Sequence, residues 1–367
     1  MKKINVAVVG ASGFTGSEIC RLLLQHKNIG EIYPVSREIK NFSRTHPNLF
    51  AASLSYITIQ ELHKISKNLD CIFLCTKSND SYNLTIKLLK ENIKIIDLSG
   101  AFRFDDINKY KKAYGSIKKI NKLLLKKKIA YGLSELNRKN ILEADIIANP
   151  GCYAITAILS LAPIIQNTIL EINQPITLNA INGTTGAGNK PKIDVTHANA
   201  TENILTYNAE GHRHAPEVED KLQSFFKKKI LIDLNTAHGN FRRGIYLRIN
   251  LNVKKKYINK LNRETLIKIY KKFYNKENKN NQFIQILDYK KKLSGNDKEY
   301  DLYPSVTNVI GSNNCLIGLD YDQELGVIRI IATTDNLIKG AAGSAIQNMN
   351  IIFGFEESES LSKYGIF

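Results

Sequence analysis

Residues 149–153 read NPGCY and run straight into AITAILSLAPII, so a single cysteine stands directly ahead of a helix-forming segment. A thiolate is a strong nucleophile, and a helix N-terminus favours it, because unpaired N–H groups and the macrodipole stabilise negative charge. The pattern predicts a helix from about Tyr153 to Ala162, with Pro150 and Gly151 allowing a tight entry and keeping bulk away from Cys152. A small buried residue in a turn is the competing reading of the same cysteine. A nucleophile also needs a proton carrier. Of seven histidines, His26, His46, His63 and His238 are isolated and His197 stands in VTHANAT, whereas His212 and His214 occur together in GHRHAPEVED. Glu217 follows closely, which is the composition of an imidazole oriented by a carboxylate. An H-x-H pair also suits zinc, but no C-x-x-C accompanies it and no metal is expected. In NGTTGAGNK, Gly183, Gly186 and Gly188 exclude a regular strand or helix. Such a loop either brings backbone N–H groups to a phosphate or oxyanion or is a flexible surface turn.

These groups need a scaffold to position them. INVAVVG is an apolar, β-branched run, ASGFTG is a glycine-rich turn, and SEICRLLLQH has helical spacing of its apolar residues. Strand, glycine turn and helix at the start of an α/β unit predict a dinucleotide site, with Gly10, Gly13 and Gly16 as G-x-x-G-x-x-G. The next strand ends near Val35, where NAD-selective sites carry an acid for the ribose 2′-hydroxyl. Ser36 and Arg37 stand there instead, a hydroxyl and a forked cation suited to a 2′-phosphate, with Glu38 the nearby acid. NADP(H) is therefore the expected cofactor. LDCIFLCT, SYNLTIKLLKEN and IKIIDLSG continue a strand and helix alternation that implies a parallel sheet with helices on both faces. Arg103 in AFRFDD follows a strand's C-terminal end, where ligands of open α/β sheets collect, and reads as an anion ligand.

The chain has 367 residues, which implies two domains. No apolar run is long enough to span a bilayer, and the N-terminal apolar run is broken by Gly10, Gly13 and Gly16, so it reads as a strand rather than an export signal. Five cysteines without framework spacing suit reduced thiols and a cytoplasmic setting. The net charge of +18 is carried mainly by lysine, since only 11 of the 52 basic residues are Arg. The lysines are scattered in short runs without interleaved aromatics, so no specific nucleic-acid role is expected.

GASGFTG, SRE, HPNL, DLSGAFR, AYGLSELN, NPGCY, TTGAGNK, GHRHAPE, GNFRRGI and DNLIKGAAGSAIQNMN occur in this order over nearly the whole chain. Together they resemble N-acetyl-γ-glutamyl-phosphate reductases, NADPH enzymes of arginine biosynthesis in the aspartate-semialdehyde-dehydrogenase-like superfamily. The resemblance implies Cys152 as nucleophile, His212 as acid/base with His214 in reserve, Glu217 as its orienting carboxylate and Arg103 as ligand of the acyl phosphate. It places Gly10, Ser12, Gly13, Phe14, Thr15, Gly16, Ser36, Arg37, Ser99, Gly186, Gly188 and Asn336 on the cofactor side. It also implies a small-molecule substrate and a homo-oligomer, dimer or tetramer. Asn189 and Arg242 depart from residues common in the family, and neither belongs to the Cys–His–Glu set. A reductase of another acyl phosphate, such as aspartate-semialdehyde dehydrogenase, and a non-catalytic dinucleotide-binding regulator are the alternatives.

The expected fold is α/β. A Rossmann-type doubly wound parallel sheet spans 1–150 and is completed by the C-terminal helix within 335–367; a second α+β catalytic and oligomerisation domain spans 151–334. ITLNAIN, ILIDLNTAH, GIYLRINLNV and LGVIRIIATT read as strands of the second domain, and Leu266, Ile269, Tyr270 and Phe273 as a buried helix face. Residues 276–282 and 290–300 read as exposed loops.

Overall fold

Parallel strands covered by helices on both sides must be apolar on both faces, and INVAVV meets this with every residue buried except Asn5. A computed structural model of the chain describes residues 3–37, 41–115, 124–167, 169–190, 192–274, 281–290 and 298–366; Glu38 and much of the two lysine-rich loops lie outside them. The chain divides into two compact units. The first comprises Met1–Arg103, Ser116–Gly151 and Gly340–Ser362, the second Phe104–Gly115, Cys152–Lys339 and Lys363–Phe367.

Through residue 151 the elements are Ile4–Val9 (β1), Phe14–Leu24 (α1), Ile29–Val35 (β2), Phe42–Thr45 (α2), Ile59–Ile65 (α3), Cys71–Leu74 (β3), Ser78–Leu88 (α4), Lys94–Asp97 (β4), Ile107–Tyr114 (α5), Ile129–Tyr131 (β5), Ser134–Leu142 (α6) and Ile146–Ala148 (β6). All but α5 belong to the first unit. The six strands form one parallel sheet in the order β2-β1-β3-β4-β6-β5. Pro34 is tolerated because β2 is an edge strand. One face packs Leu62, Leu69, Leu84, Leu88 and Leu89 against Ala7, Ile72 and Ile95. On the other, α1 and the C-terminal helix Gly343–Phe353 pack together, the latter also against α6 and β4. The strand order reverses between β1 and β3, the kind of switch point where open sheets bind ligands beyond the strands' carboxyl ends.

In the second unit the order is Cys152–Gln166 (α7), Ile176–Asn182 (β7), His197–Ala200 (α8), Leu205–Tyr207 (β8), His214–Phe226 (α9), Ile232–His238 (β9), Ile245–Asn252 (β10), Arg263–Tyr274 (α10), Ile284–Ile286 (β11), Cys315–Asp322 (β12) and Val327–Thr334 (β13). The C-terminal helix of the first unit is then α11. The seven strands make a mixed sheet in the order β11-β12-β13-β10-β7-β9-β8. Period-two patterning is clear in β10, where Ile245, Leu247, Ile249 and Leu251 are buried and Arg248, Asn250 and Asn252 are exposed. Helix α7 packs against α9, α10 and β13. Lys221, 2% exposed, pairs with Asp105 at 2.8 Å and Asp220 at 3.1 Å, which ties the segment carrying α5 to α9.

Two helices differ from the sequence expectation. The buried face of α10 is Leu266, Ile267, Tyr270 and Tyr274, rotated from the one expected. Helix α7 runs four residues past Ala162, through Pro163. Proline has no N–H, so the Leu159 carbonyl loses its helical partner. The Tyr274 hydroxyl donates to that carbonyl, and Tyr270 donates to the Ser160 carbonyl at 2.6 Å. The Asn167 amide then caps the Pro163 carbonyl at 2.7 Å. The rotated α10 face is thus the one that supplies these donors.

A buried carbonyl left without a donor costs about 1–3 kcal/mol. Tyr274→Phe should therefore lower unfolding stability by about that amount in urea titrations. In a Pro163→Ala background, where the backbone N–H returns, the cost of the same change should fall below about 1 kcal/mol.

Candidate active site

Helix α7 starts at Cys152 itself, and every residue from Tyr153 to Ile165 is buried. The turn before it is held by Asn149, which is fully buried in the first unit. Its backbone N donates to Asp97 O at 2.8 Å and its carbonyl accepts from Arg103 Nε at 2.8 Å. Its side-chain amide donates to Ser344 Oγ at 3.0 Å and Ala341 O at 3.2 Å, and its Oδ1 accepts from Asn348 Nδ2 at 3.0 Å. Arg103 also donates from Nη2 to Leu98 O at 2.8 Å, so its buried guanidinium braces the carboxyl ends of β4 and β6.

Within the second unit the packing of α9 on α7 brings His212 and His214 to the start of α7. The Tyr153 ring lies edge-on to His212 at 5.2 Å and to His214 at 6.0 Å, and the two imidazoles are 4.6 Å apart. Tyr207, at the end of β8, lies 5.9 Å from His212, stacks on His238 at 4.4 Å, and shares a 2.8 Å hydrogen bond with the Tyr153 hydroxyl. Burial drives the His212 pKa down to about 3, helped by the positive charge of Arg213. Its ring is therefore neutral near pH 7. Since Nδ1 accepts the His214 backbone N–H at 3.1 Å, the ring's one proton is on Nε2. Glu217 is fully buried in the first turn of α9, where a helix N-terminus favours a carboxylate.

Burial pushes the Cys20 thiol up to about 12 and raises Cys71 and Cys75 strongly. Those three are poor nucleophiles. Burial raises the titration of Tyr153 and Tyr207, that of Tyr207 to about 12, and both lie close enough to Cys152 to feel its charge when its thiol is ionised. Tyr153, Tyr207 and His238 were not singled out from the sequence as neighbours of His212. A three-residue strand and an isolated histidine carry no periodic signal; only the β9 register places His238 beside Asn182.

The glycine loop is a 3₁₀ turn at Thr184–Ala187, with Gly186 and Gly188 exposed. Asn336, 4% exposed, donates from Nδ2 to Thr185 Oγ1 at 3.0 Å and accepts the Gly244 N–H at 2.7 Å. Thr185 Oγ1 in turn donates to the Arg242 carbonyl at 2.7 Å. Asn336 thus braces this loop. Asn189 and the Arg242 side chain are exposed.

In the first unit, the turn after β1 fits a dinucleotide pyrophosphate. Gly10 has φ +83°, and a Cβ there would stand 2.5 Å from the Cys75 carbonyl oxygen at the end of β3. A Cβ on Gly16 would overlap the Gly10 carbonyl, so α1 approaches the turn as closely as backbone allows. Gly13 is the N-cap of α1 and makes no side-chain cap, Phe14 is exposed, and Ser12 and Thr15 are half-buried. Ser36 is buried and Arg37 is exposed, its Nη2 2.7 Å from Asp80. Ser99 is committed to Asp97, by Oγ at 2.9 Å and by its backbone N at 3.1 Å. Burial raises the Asp97 pKa against these hydrogen bonds and the nearby Arg103 charge. Among the described residues no group of three His, Cys, Asp or Glu is arranged to hold a metal ion, and no helix is long and apolar enough to cross a membrane.

Residues 5–144 match the semialdehyde dehydrogenase NAD binding domain and residues 152–336 the semialdehyde dehydrogenase dimerisation domain. The first match supports a nicotinamide dinucleotide as cofactor. The fold is shared with aspartate semialdehyde dehydrogenase II of Vibrio cholerae in complex with ASA, at a TM-score of 0.69 and 16% identity over 96% of this chain and 99% of that one. The N-acetyl-gamma-glutamyl-phosphate reductase of Methanocaldococcus jannaschii is 37% identical, covering 98% of both chains. That of Methanosphaera stadtmanae is 35% identical, covering 100% of both. Identity at this level over the whole length is much greater than the shared fold requires, and the chain belongs to the N-acetyl-gamma-glutamyl-phosphate reductase family of semialdehyde dehydrogenases.

Proposed function

We propose that the protein reduces N-acetyl-L-glutamyl 5-phosphate to N-acetyl-L-glutamate 5-semialdehyde and phosphate with NADPH, through a thioester on Cys152, in arginine biosynthesis. The observation that carries this reading is the full-length likeness to reductases of that name, combined with a cysteine at the first residue of a buried helix. In the forward reaction the Cys152 sulfur attacks the acyl carbon and phosphate departs. When bound, the dinucleotide would supply the hydride that reduces this carbon. Cys152 then leaves as thiolate, its charge favoured by the start of α7. His212, neutral and with its proton on Nε2, donates a hydrogen bond from that atom to the oxygen on which negative charge gathers as the carbon is reduced. Glu217 and His214 position His212, and Arg103 holds the strand ends ahead of the nucleophile and receives the acyl phosphate. Gly10, Gly13 and Gly16 form the pyrophosphate cradle, and Ser36 and Arg37 receive the 2′-phosphate. The dimerisation-domain match supports a homo-oligomer, and the reading includes a cytoplasmic setting.

The reaction is assayed in reverse with N-acetylglutamate 5-semialdehyde, phosphate and NADP, beside aspartate semialdehyde. Cys152→Ser should lose at least about three orders of magnitude in kcat. Near-normal turnover by this variant would sink the covalent scheme, and preference for aspartate semialdehyde would sink the substrate assignment. Arg37→Gln should raise KM for NADP about tenfold while leaving KM for NAD within about twofold, as expected for a charge-assisted contact to the 2′-phosphate.

Neutral burial of His212 also has a consequence for stability. Its ordinary pKa of 6.5 in the unfolded chain falls to about 3 on folding, so between these values the unfolded state binds the extra proton. No penalty exists above pH 6.5; stability is lost as pH falls below it, by up to about 1.4 kcal/mol per pH unit from this residue. His26, His46 and His238 are lowered by burial in the same direction. The melting temperature should fall on going from pH 6.5 to 4.5, and His212→Asn should make that fall shallower.

A further inference from the structure

Among the sequence motifs, HPNL at 46–49 has no part in the reaction described above, yet its histidine is buried and reaches the dinucleotide turn. In that turn Gly10 N and Ala11 N both donate to Val35 O, at 3.0 and 3.3 Å. Gly13 N donates to Gly10 O at 3.1 Å, and Ser17 N to Gly13 O at 2.9 Å. The carbonyl of Ala11, a fully buried residue, instead meets His46 Nε2 at 2.9 Å. A carbonyl only accepts, so the imidazole proton is on Nε2 and points at Ala11. The Tyr56 hydroxyl oxygen, 2.9 Å from the same nitrogen, shares that proton as a second acceptor.

We propose that His46 is a positioning residue for dinucleotide binding: its Nε2–H fixes the Ala11 carbonyl and thereby the plane of the peptide that carries the Ser12 N–H. In a trans peptide the C=O and N–H point in opposite directions, so holding one sets the other. Ser12 lies in the glycine turn that anchors the pyrophosphate, where a small rotation of one amide changes its contact with a phosphate oxygen. His46 is itself pinned. Its N–H donates to Phe42 O at 2.9 Å and its carbonyl accepts from Leu49 N at 2.9 Å. Phe42 meets the ring edge-on at 5.0 Å, and Tyr56 closes the other approach at 6.4 Å. Pro47 opens the 3₁₀ turn Pro47–Leu49 immediately after it, and Asn41 caps α2 before it through the Arg44 N–H at 3.0 Å. The proposal rests on the reading of this turn as a dinucleotide site.

The test compares wild type with His46→Gln, which retains a donor at the Nε2 position, and with His46→Leu and His46→Asn, which do not. Dissociation constants for NADP and NAD are measured by fluorescence titration, alongside kcat and both KM values and a thermal melt. Losing one buried hydrogen bond of about 1–2 kcal/mol corresponds to about a five- to thirtyfold weaker complex. That loss is expected for Leu and Asn with both dinucleotides, with the semialdehyde KM within about twofold and Gln within about threefold of wild type. A folded Leu or Asn variant that binds like wild type overturns the proposal, as does equal weakening by Gln and Leu. If Leu does not fold, the Asn and Gln pair decides in the same way. A wild type that binds neither dinucleotide overturns the reading of the turn itself, and the proposal with it.

Discussion

The arrangement depends on the anchoring of Asn149 at the carboxyl end of β6. A helix N-terminus favours an anion only over its first turn, so the residue at which α7 begins decides whether Cys152 can benefit. Asn149 stands three residues earlier with both backbone groups and both ends of its amide bonded inside the first unit. With the chain fixed there, Pro150 and Gly151 complete a turn that places Cys152 as the first helical residue. A fully satisfied buried amide of this kind specifies a single geometry, because any shift leaves a polar group without a partner in a low-dielectric interior.

The second constraint is the burial of α7. A helix apolar around its whole circumference has to sit in a core, and one containing Pro163 exposes a broken hydrogen-bond ladder to that core. Tyr274 and Tyr270 supply hydroxyl donors at the break. Packing of α9 on the same helix carries His212 and His214 to its first turn. The surroundings of His212 then set its protonation. Burial and Arg213 keep the ring neutral, and the His214 N–H selects the tautomer. One buried helix therefore carries Cys152 at its start and holds the two imidazoles beside it.

The glycine turn follows a different logic, in which space rather than charge decides. Gly10 and Gly16 are required because the backbone at β1, β3 and α1 converges until a single Cβ would collide with a carbonyl. The turn's orientation is then secured from outside, by Val35 along the sheet edge and by His46 from the segment between β2 and α3. Arg37 and its partner Asp80 lie further out, exposed, so their mutual attraction is weak and readily exchanged for another anion.

Much of this was legible in the amino-acid sequence. The strand, glycine turn and helix at residues 4–24, the parallel alternation, four of the five long strands of the second sheet (all but β12) and the cysteine at a helix start all rest on local periodicity and turn chemistry, which need no distant partner. The commitments of His46 to Ala11, of Asn336 to Thr185 and of Tyr274 to Leu159 join residues 35, 151 and 115 positions apart. Nothing local in HPNL or RETLIKIYKKFY signals them. The same holds for β8 and β11, three-residue strands whose existence depends on the neighbour they pair with. Sequence by itself determined the longer periodic elements and the placing of Cys152 at a helix start, since these follow from side-chain type and spacing. Tertiary structure alone decided how far α7 runs and which face of α10 is buried, because both depend on buried hydrogen bonds whose partners lie more than a hundred residues apart in the chain.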